Sequence, residues 1–330
     1  MGPSTLKTVL FRTAGGQGIG YGHFYRSYSL AKSIILFNDD VNVIFIINQE
    51  LACLLSDSGF KYIISDSFDN DVSIIAGINP KLLVLDSYMA NNDYLIKVKY
   101  MTKLMIFDDN NDIYDSTIPD IILNGNIHAQ ELKYNKHPNS LHLIGPQYLV
   151  MREEYWNNEP RHDRKKGVLI TTGGTDPYEV SHNMLIHLMQ IPLSKKVVIG
   201  PGFEKGLIKK LEALTDDNTK LIYKPSSLKA NINDSKFVIT AGGSTVYEVL
   251  ALKSNPILFS MADNQDIACN YFSKLEIPYL GKFPEIKYDK IHQYILKLDQ
   301  NEYYKTSTKL QVVDGLGANR VTYEIKSYLE

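Results

Sequence analysis

Residues 167–177 read Gly-Val-Leu-Ile-Thr-Thr-Gly-Gly-Thr-Asp-Pro. A short β-branched apolar run without alternation predicts a strand covered on both faces, as in a parallel sheet. The glycine pair allows a sharp turn. Thr175 or Asp176 then offers a helix cap, and Pro177 suits a first helical turn. The same order recurs along the chain. In the first half, strands are expected at Thr8–Arg12, Val41–Ile47, Tyr62–Ser65, Leu82–Asp86, Leu104–Asp108 and Ile121–Asn124, with helices over His23–Ile35, Gln49–Ser58 and Asn92–Tyr100. In the second half, strands are expected at Gly167–Thr172, Lys196–Gly200, Lys220–Tyr223, Phe237–Thr240 and Pro256–Ser260. Helices there cover Glu179–Gln190, Glu204–Leu214, Thr245–Leu252 and Asp266–Lys274, with a final one over Ala318–Leu329. Strand and helix in alternation imply right-handed βαβ units.

The charged segment Met151–Lys166, with Pro160, interrupts the pattern and reads as a connection. The expected class is therefore α/β, with two Rossmann-like doubly wound domains, 1–152 and 153–330, facing a central cleft. The last helix is expected to pack back on the first domain. The length of 330 residues suits two domains. Lysine plus arginine number 35 against 37 acidic residues, a net charge of −2, which argues against a nucleic-acid-binding surface. Cys53 and Cys269 lack disulfide or zinc spacing and read as buried thiols in a reducing compartment. No signal sequence and no membrane-length apolar run is evident, so a cytoplasmic enzyme without stable membrane insertion is expected.

Three glycine-rich loops follow expected strands. The first, Arg12–His23, contains Gly15, Gly16, Gly18, Gly20 and Gly22, but fits neither the dinucleotide fingerprint nor the P-loop spacing. His23 opens the helix after it. A helix N-terminus disfavours a second proton on imidazole, and a neutral histidine can take a proton from water or a hydroxyl. The competing reading is a capping or surface histidine. The second loop holds Gly173, Gly174 and Thr175. The third holds Gly242, Gly243, Ser244 and Thr245, with Glu248 about one turn later. Backbone N–H groups and hydroxyls at a helix start suit a diphosphate, and a carboxylate one turn on suits ribose hydroxyls. A plain strand–helix turn is the alternative for each. Asp86 ends a strand and is expected to face the ligand. Asp108 and Asp109 are either acid–base or metal-binding acids, or turn formers. Asn264 and Gln265 begin a helix and could reach a sugar. His182 and His187 lack the spacing of a helical metal pair.

Together these residues resemble a family. Phe11-Arg12 with Ile19-Gly-Tyr-Gly-His-Phe-Tyr-Arg26 looks like the opening motif of the UDP-2,4-diacetamido-2,4,6-trideoxy-β-L-altropyranose hydrolases of pseudaminic acid biosynthesis. The resemblance continues through Leu85-Asp-Ser-Tyr88, Phe107-Asp-Asp109, Leu123-Asn124, Leu149-Val-Met-Arg-Glu-Glu-Tyr155, Gly173-Gly-Thr-Asp-Pro177 and Gly243-Ser-Thr-Val-Tyr-Glu248. It ends at Asp263-Asn-Gln265 and Val313-Asp-Gly-Leu-Gly-Ala-Asn-Arg320. The family belongs to the GT-B superfamily and is similar to the lipid II-forming N-acetylglucosaminyltransferases. The resemblance implies that His23 is the catalytic base. It also implies that the second domain holds the nucleotide, that UDP leaves with inversion at the anomeric carbon, and that neither metal nor other cofactor is needed. Arg12, Gly20, Gly22, Asp86, Tyr88, Asn264 and Gln265 are expected on the sugar side. Gly173, Gly174, Thr175, Gly242, Gly243, Ser244, Thr245 and Glu248 are expected on the nucleotide. Ser87 stands where these hydrolases usually carry histidine, which bears on the choice of sugar or acceptor. The expected activity is hydrolysis of a UDP-activated amino-deoxy sugar. The alternatives are a GT-B glycosyltransferase for surface polysaccharide or glycoprotein, and a nucleotide-sugar-binding protein without turnover.

Overall fold

The computed structural model describes residues 6–16, 18–135, 137–157, 166–300 and 308–329, the side chains of Asn264, Gln300, Thr308 and Lys309 excepted. The chain forms two compact units, one reaching Trp156 and regaining the chain from Gly315, the other running from Asn157 to Asp314. In the first unit the order is β1 (Lys7–Thr13), α1 (Gly22–Phe37), β2 (Val41–Ile47), α2 (Ala52–Leu55), β3 (Lys61–Ile64), α3 (Phe68–Ile78), β4 (Leu82–Asp86), α4 (Asn92–Lys99), β5 (Lys103–Phe107), β6 (Ile121–Asn124) and β7 (Leu141–Ile144). The second contains β8 (Val168–Thr171), α5 (Val180–Leu188), β9 (Lys195–Ile199), α6 (Lys205–Ala213), β10 (Thr219–Tyr223), α7 (Lys229–Asn233), β11 (Phe237–Ala241), α8 (Thr245–Ala251), β12 (Asn255–Ser260), α9 (Asp263–Lys274), β13 (Tyr279–Lys282), α10 (Ile291–Gln300) and α11 (Thr308–Gln311). Helices α12 (Gly317–Glu324) and α13 (Lys326–Leu329) return to the first.

Both sheets are parallel throughout, ordered β3-β2-β1-β4-β5-β6-β7 and β10-β9-β8-β11-β12-β13. The apolar runs behave as double-sided cover requires. All of β4, β6, β8 and β11 is buried. Val9 and Phe11 join the core beneath α1, while Leu10 faces the other layer with Tyr94 and Leu95 of α4.

The topology decides which loops meet. The strand order reverses between β1 and β4, where Thr13 pairs with Asp86. It reverses again between β8 and β11, where Thr171 pairs with Thr240. Such switch points bring the loops leaving the two carboxyl ends together, and open α/β sheets bind ligands there. The loop carrying His23 and the turn after Asp86 are neighbours for this reason. So are the Gly173 and Gly243 loops.

Several elements differ from the sequence reading. The helix expected over Gln49–Ser58 is a 3₁₀ turn, Gln49–Leu51, followed by the short α2. Helix α5 starts at Val180, so Pro177 lies in the preceding turn, while Asp176 still accepts the Val180 and Ser181 N–H groups at 2.9 and 2.8 Å. The final helix breaks at Ile325. Cys53 is exposed, and only Cys269 is buried.

The return of the chain is tightly packed. Val321, Ile325 and Leu329 complete the core beneath α1, and buried Ser33 of α1 bonds Asn319 at 3.0 Å and Thr322 at 2.8 Å. A Cβ on Gly317 would lie 2.0 Å from the Leu149 carbonyl oxygen. Backbone cannot yield as a flexible side chain does. Gly317→Ala is therefore expected to destabilise the first unit by about 1–3 kcal/mol in a urea titration, the usual cost of overpacking.

Candidate functional site

Helix α1 begins without a side-chain cap, and His23 stands in its first turn. The imidazole Nδ1 lies 2.5 Å from Asp86 Oδ1. Three residues further on, and so on the same helix face, Arg26 reaches the same carboxylate. Its Nε donates to Asp86 Oδ2 at 2.6 Å and its NH2 to Oδ1 at 2.7 Å. Ser27 Oγ donates to Oδ2 at 3.4 Å. Asp86 has no exposed surface. A carboxylate out of water needs this number of donors, because an unpaired buried charge is costly.

The guanidinium then turns to a second acid. Arg26 NH1 donates to both oxygens of Asp109, at 2.9 and 3.0 Å, and the guanidinium carbon sits 4.8 Å from the Phe107 ring centroid. Asp109 also accepts from Asn126 Nδ2 at 2.9 Å and from the Tyr88 hydroxyl. Tyr88 closes the circuit, its ring edge-on to His23 at 4.5 Å. Burial works to raise the Asp109 carboxyl, but Arg26, Tyr88 and Asn126 outweigh it and hold it down at about 2. Burial likewise raises the Tyr88 hydroxyl, reinforced by Asp109. Asp108 does different work. One of its oxygens accepts the Asn110 and Asn111 N–H groups at 3.1 and 2.6 Å, and burial raises its carboxyl.

With Nδ1 directed at Asp86, the arrangement that satisfies every group places the proton of neutral His23 on Nδ1. Arginine is a pure donor and cannot share that position as an acceptor. The other ring nitrogen, Nε2, is then a proton acceptor held in a fixed direction. A paired carboxylate and imidazole of this kind make a general base for water or an alcohol.

Other expected site residues sit elsewhere. Arg12, expected on the sugar side, is committed to an ion pair inside the first unit. It is buried on the opposite side of β1 from Phe11, because side chains alternate along a strand. Its Nε pairs with buried Asp71 at 2.6 Å, and NH2 donates to the Ser65 carbonyl at 3.2 Å. Gly20 pairs with Gly16 through both backbone groups, at 3.1 and 2.8 Å, which closes the first glycine loop upon itself. Its φ of 82° is one that glycine adopts without strain. Gly22 is the first residue of α1 and open on its Cα side. Asp86, expected to touch a sugar, is taken up by protein donors. Ser87 is buried, and its hydroxyl accepts the Met89 N–H at 3.1 Å, so this position shapes the turn that presents Tyr88.

In the second unit, Gly173, Gly174 and Thr175 are exposed, and the Gly174 carbonyl accepts the Gly202 N–H at 2.9 Å. Gly243 and Ser244 are exposed, Thr245 half-buried, and Glu248 lies one turn into α8. Gly242 is different. Its N–H donates to the Phe259 carbonyl at 2.9 Å, and a Cβ there would lie 2.2 Å from Cys269 Sγ. It lets α9 approach β11. Gln265 turns its Oε1 back to the Met261 N–H at 3.0 Å, bracing the entry to α9. Asn264 lies in α9, with its side chain outside the described residues. Among the described residues, no cluster of three or more His, Cys, Asp or Glu could hold a metal ion, and no helix is long and apolar enough to cross a membrane.

Sequence reasoning missed Arg26 and Asn126 as site residues and left Asp109 undecided. The signal for Arg26 was its place three residues after His23. Asn126 has no local signal, since only the adjacency of β5 and β6 brings it to Asp109.

A depressed carboxyl contributes stability that is present above its unfolded value and lost as pH falls toward its folded one. Asp109 is thus expected to contribute about 2–3 kcal/mol above about pH 5, declining toward pH 2. In urea titrations, the deficit of Asp109→Asn relative to wild type should shrink between about pH 6 and about pH 2.5. An unchanging deficit would show that the charge contributes nothing. Gly242→Ala should cost about 1–3 kcal/mol. Gly243→Ala, with nothing within 4 Å of the added carbon, should leave stability nearly unchanged.

No known family model matches the chain. It is 26% identical over 281 residues to the UDP-2,4-diacetamido-2,4,6-trideoxy-beta-L-altropyranose hydrolase of Campylobacter jejuni, covering 81% of this chain and 96% of that one. It is 22% identical over 273 residues to the spore coat polysaccharide biosynthesis protein SpsG of Bacillus subtilis, covering 78% and 79%. An uncharacterized protein of Methanocaldococcus jannaschii is 25% identical over 325 residues. That alignment takes in 92% of this chain, which spans 65% of the relative's length. Among solved structures, MurG of Acinetobacter baumannii superposes with a TM-score of 0.68 at 12% identity, covering 97% of this chain and 99% of that one. The kitacinnamycin glycotransferase gives 0.71 at 12% identity, covering 98% and 99%. The chain has the two-unit α/β fold of the GT-B glycosyltransferases, and its homologues include the Campylobacter hydrolase and SpsG.

Proposed function

We propose that the protein is an enzyme acting on a UDP-activated amino-deoxy sugar, releasing UDP and the free sugar with inversion at the anomeric carbon. The observation that carries this reading is the His23–Asp86 pair at 2.5 Å at the start of α1. In this reading Nε2 of His23 takes a proton from water as the water oxygen bonds to the anomeric carbon. The bond from that carbon to the diphosphate oxygen breaks on the opposite face, and its electron pair leaves with UDP. Asp86 holds the ring and stabilises the imidazolium that forms, as a carboxylate does in other histidine-based catalysis. In the second unit, Gly173, Gly174 and Thr175, with Gly243, Ser244 and Thr245, meet the diphosphate, and Glu248 meets the ribose. Backbone dipoles directed at a leaving diphosphate offset charge where it develops. Tyr88, half exposed and stacked edge-on to the base, contacts the sugar. The similarity to the Campylobacter hydrolase supports this choice of substrate. The buried position of Ser87 bears on it too, because a residue there acts through the turn and not through direct contact.

A second reading, transfer of the sugar to a glycan hydroxyl, uses the same base. It is favoured by the exposed run Ile35, Leu36 and Phe37 at the end of α1, an apolar surface of the kind that an acceptor or membrane face would cover. The two readings separate on release of UDP from a panel of UDP-sugars without acceptor, the sugar product being followed by NMR. Hydrolysis predicts rapid release of both products and a loss of about 10²–10⁴ in kcat for His23→Ala. UDP binding without release, restored by adding a glycan acceptor, would replace hydrolysis with transfer. Binding indifferent to His23, with no turnover under either condition, would leave a binding protein.

A further inference from the structure

A histidine paired with a buried carboxylate has a built-in difficulty as a base. The carboxylate stabilises the protonated ring, and an imidazolium has no proton-accepting atom. What faces His23 bears directly on this. Asp86 and Tyr88 come from the end of β4 and the turn after it, and Arg26 comes from His23's own helix. Beyond Arg26 stand Asp109, from the turn after β5, and the buried His128, from the turn after β6. The first turn of α1 adds the positive end of the helix dipole. Of these groups Arg26 is the one full positive charge. Its NH2 lies 3.2 Å from His23 Nδ1 while donating to the same Asp86 oxygen at 2.7 Å.

We propose that Arg26 is the positioning residue of this site, neutralising Asp86 so that the carboxylate orients His23 without drawing a second proton onto it. The inference rests on the reading of His23 as the base. Three features support it. Arg26 contacts both Asp86 oxygens and so fixes the carboxylate plane against which the imidazole is aligned. The guanidinium is itself held by both oxygens of Asp109 and by the Phe107 face, so its position is over-determined. Its charge persists at any working pH, because both carboxylates outweigh the effect of burial and raise its proton affinity further. Asp109 is then the counterweight, limiting how far Arg26 repels a proton from His23.

The two charges should act on His23 in opposite directions. Removing the positive one, in Arg26→Gln, raises the pH at which His23 takes up its second proton. The acid limb of the kcat/KM profile moves up with it, and the lost activity returns as pH rises. Removing the negative one, in Asp109→Asn, moves both readouts the other way. The His23 midpoint is followed by NMR of the imidazole Cε1–H in the full chain without substrate, the resonance being identified by its absence in His23→Gln. That readout needs no turnover. Opposite displacements in a protein that fails to hydrolyse would sink the proposed reaction and leave this inference standing. A midpoint that stays put or falls in Arg26→Gln, or one that rises in Asp109→Asn, would overturn it. So would loss of activity in Arg26→Gln to the same degree at every pH. Should Arg26→Gln not fold, the direction of the Asp109→Asn displacement decides alone.

Discussion

A carboxylate with no exposed surface at the end of β4 governs the first unit's site. Asp86 sits where the strand order reverses, and its charge has to be met by protein donors. His23, Arg26 and Ser27 supply them from consecutive turns of one helix. The orientation of α1 over the sheet, the direction of the imidazole and the extension of the network to Asp109, Tyr88 and Asn126 all follow from meeting that requirement. Removing any one donor leaves a charge in a place that water does not reach, so the network is constrained as a whole.

The same logic distinguishes residues that look alike in sequence. Arg12 and Arg26 both belong to the opening motif, yet they serve different layers. Arg12 is committed to Asp71 beneath the sheet, where it is a structural ion pair. Arg26 is committed to the carboxylates around His23. Gly242 and Gly243 are adjacent, but one admits α9 and the other is open to solvent. A motif names residue types, whereas the alternation of a strand or the approach of a helix decides which of them a ligand can meet.

The fold class was legible because its signals are local. Continuous apolar runs bounded by polar or glycine turns specify buried parallel strands, and Val41–Ile47, Leu82–Asp86 and Ile121–Asn124 are strands over the ranges expected. The short strands β7 and β13, Leu141–Ile144 and Tyr279–Lys282, escaped the pattern. Each is only four residues long and stands at a sheet edge, where one neighbour is enough. The break at Ile325 was missed because α12 and α13 share a single apolar periodicity.

By itself, the sequence determined the parallel α/β architecture, the loops that follow each strand and the presence of a histidine at a helix start, because each depends on neighbours in the chain. The tertiary structure alone decided that Asp86 pairs with His23, that Arg26 bridges two acids, and that Asn126 and Tyr88 share Asp109. Those partners lie between 17 and 83 residues apart and meet only through the strand order β1-β4-β5-β6. No local propensity encodes that order. It arises from covering both faces of the sheet with right-handed crossovers, and the resulting adjacency of strand ends sets which charges must neutralise one another.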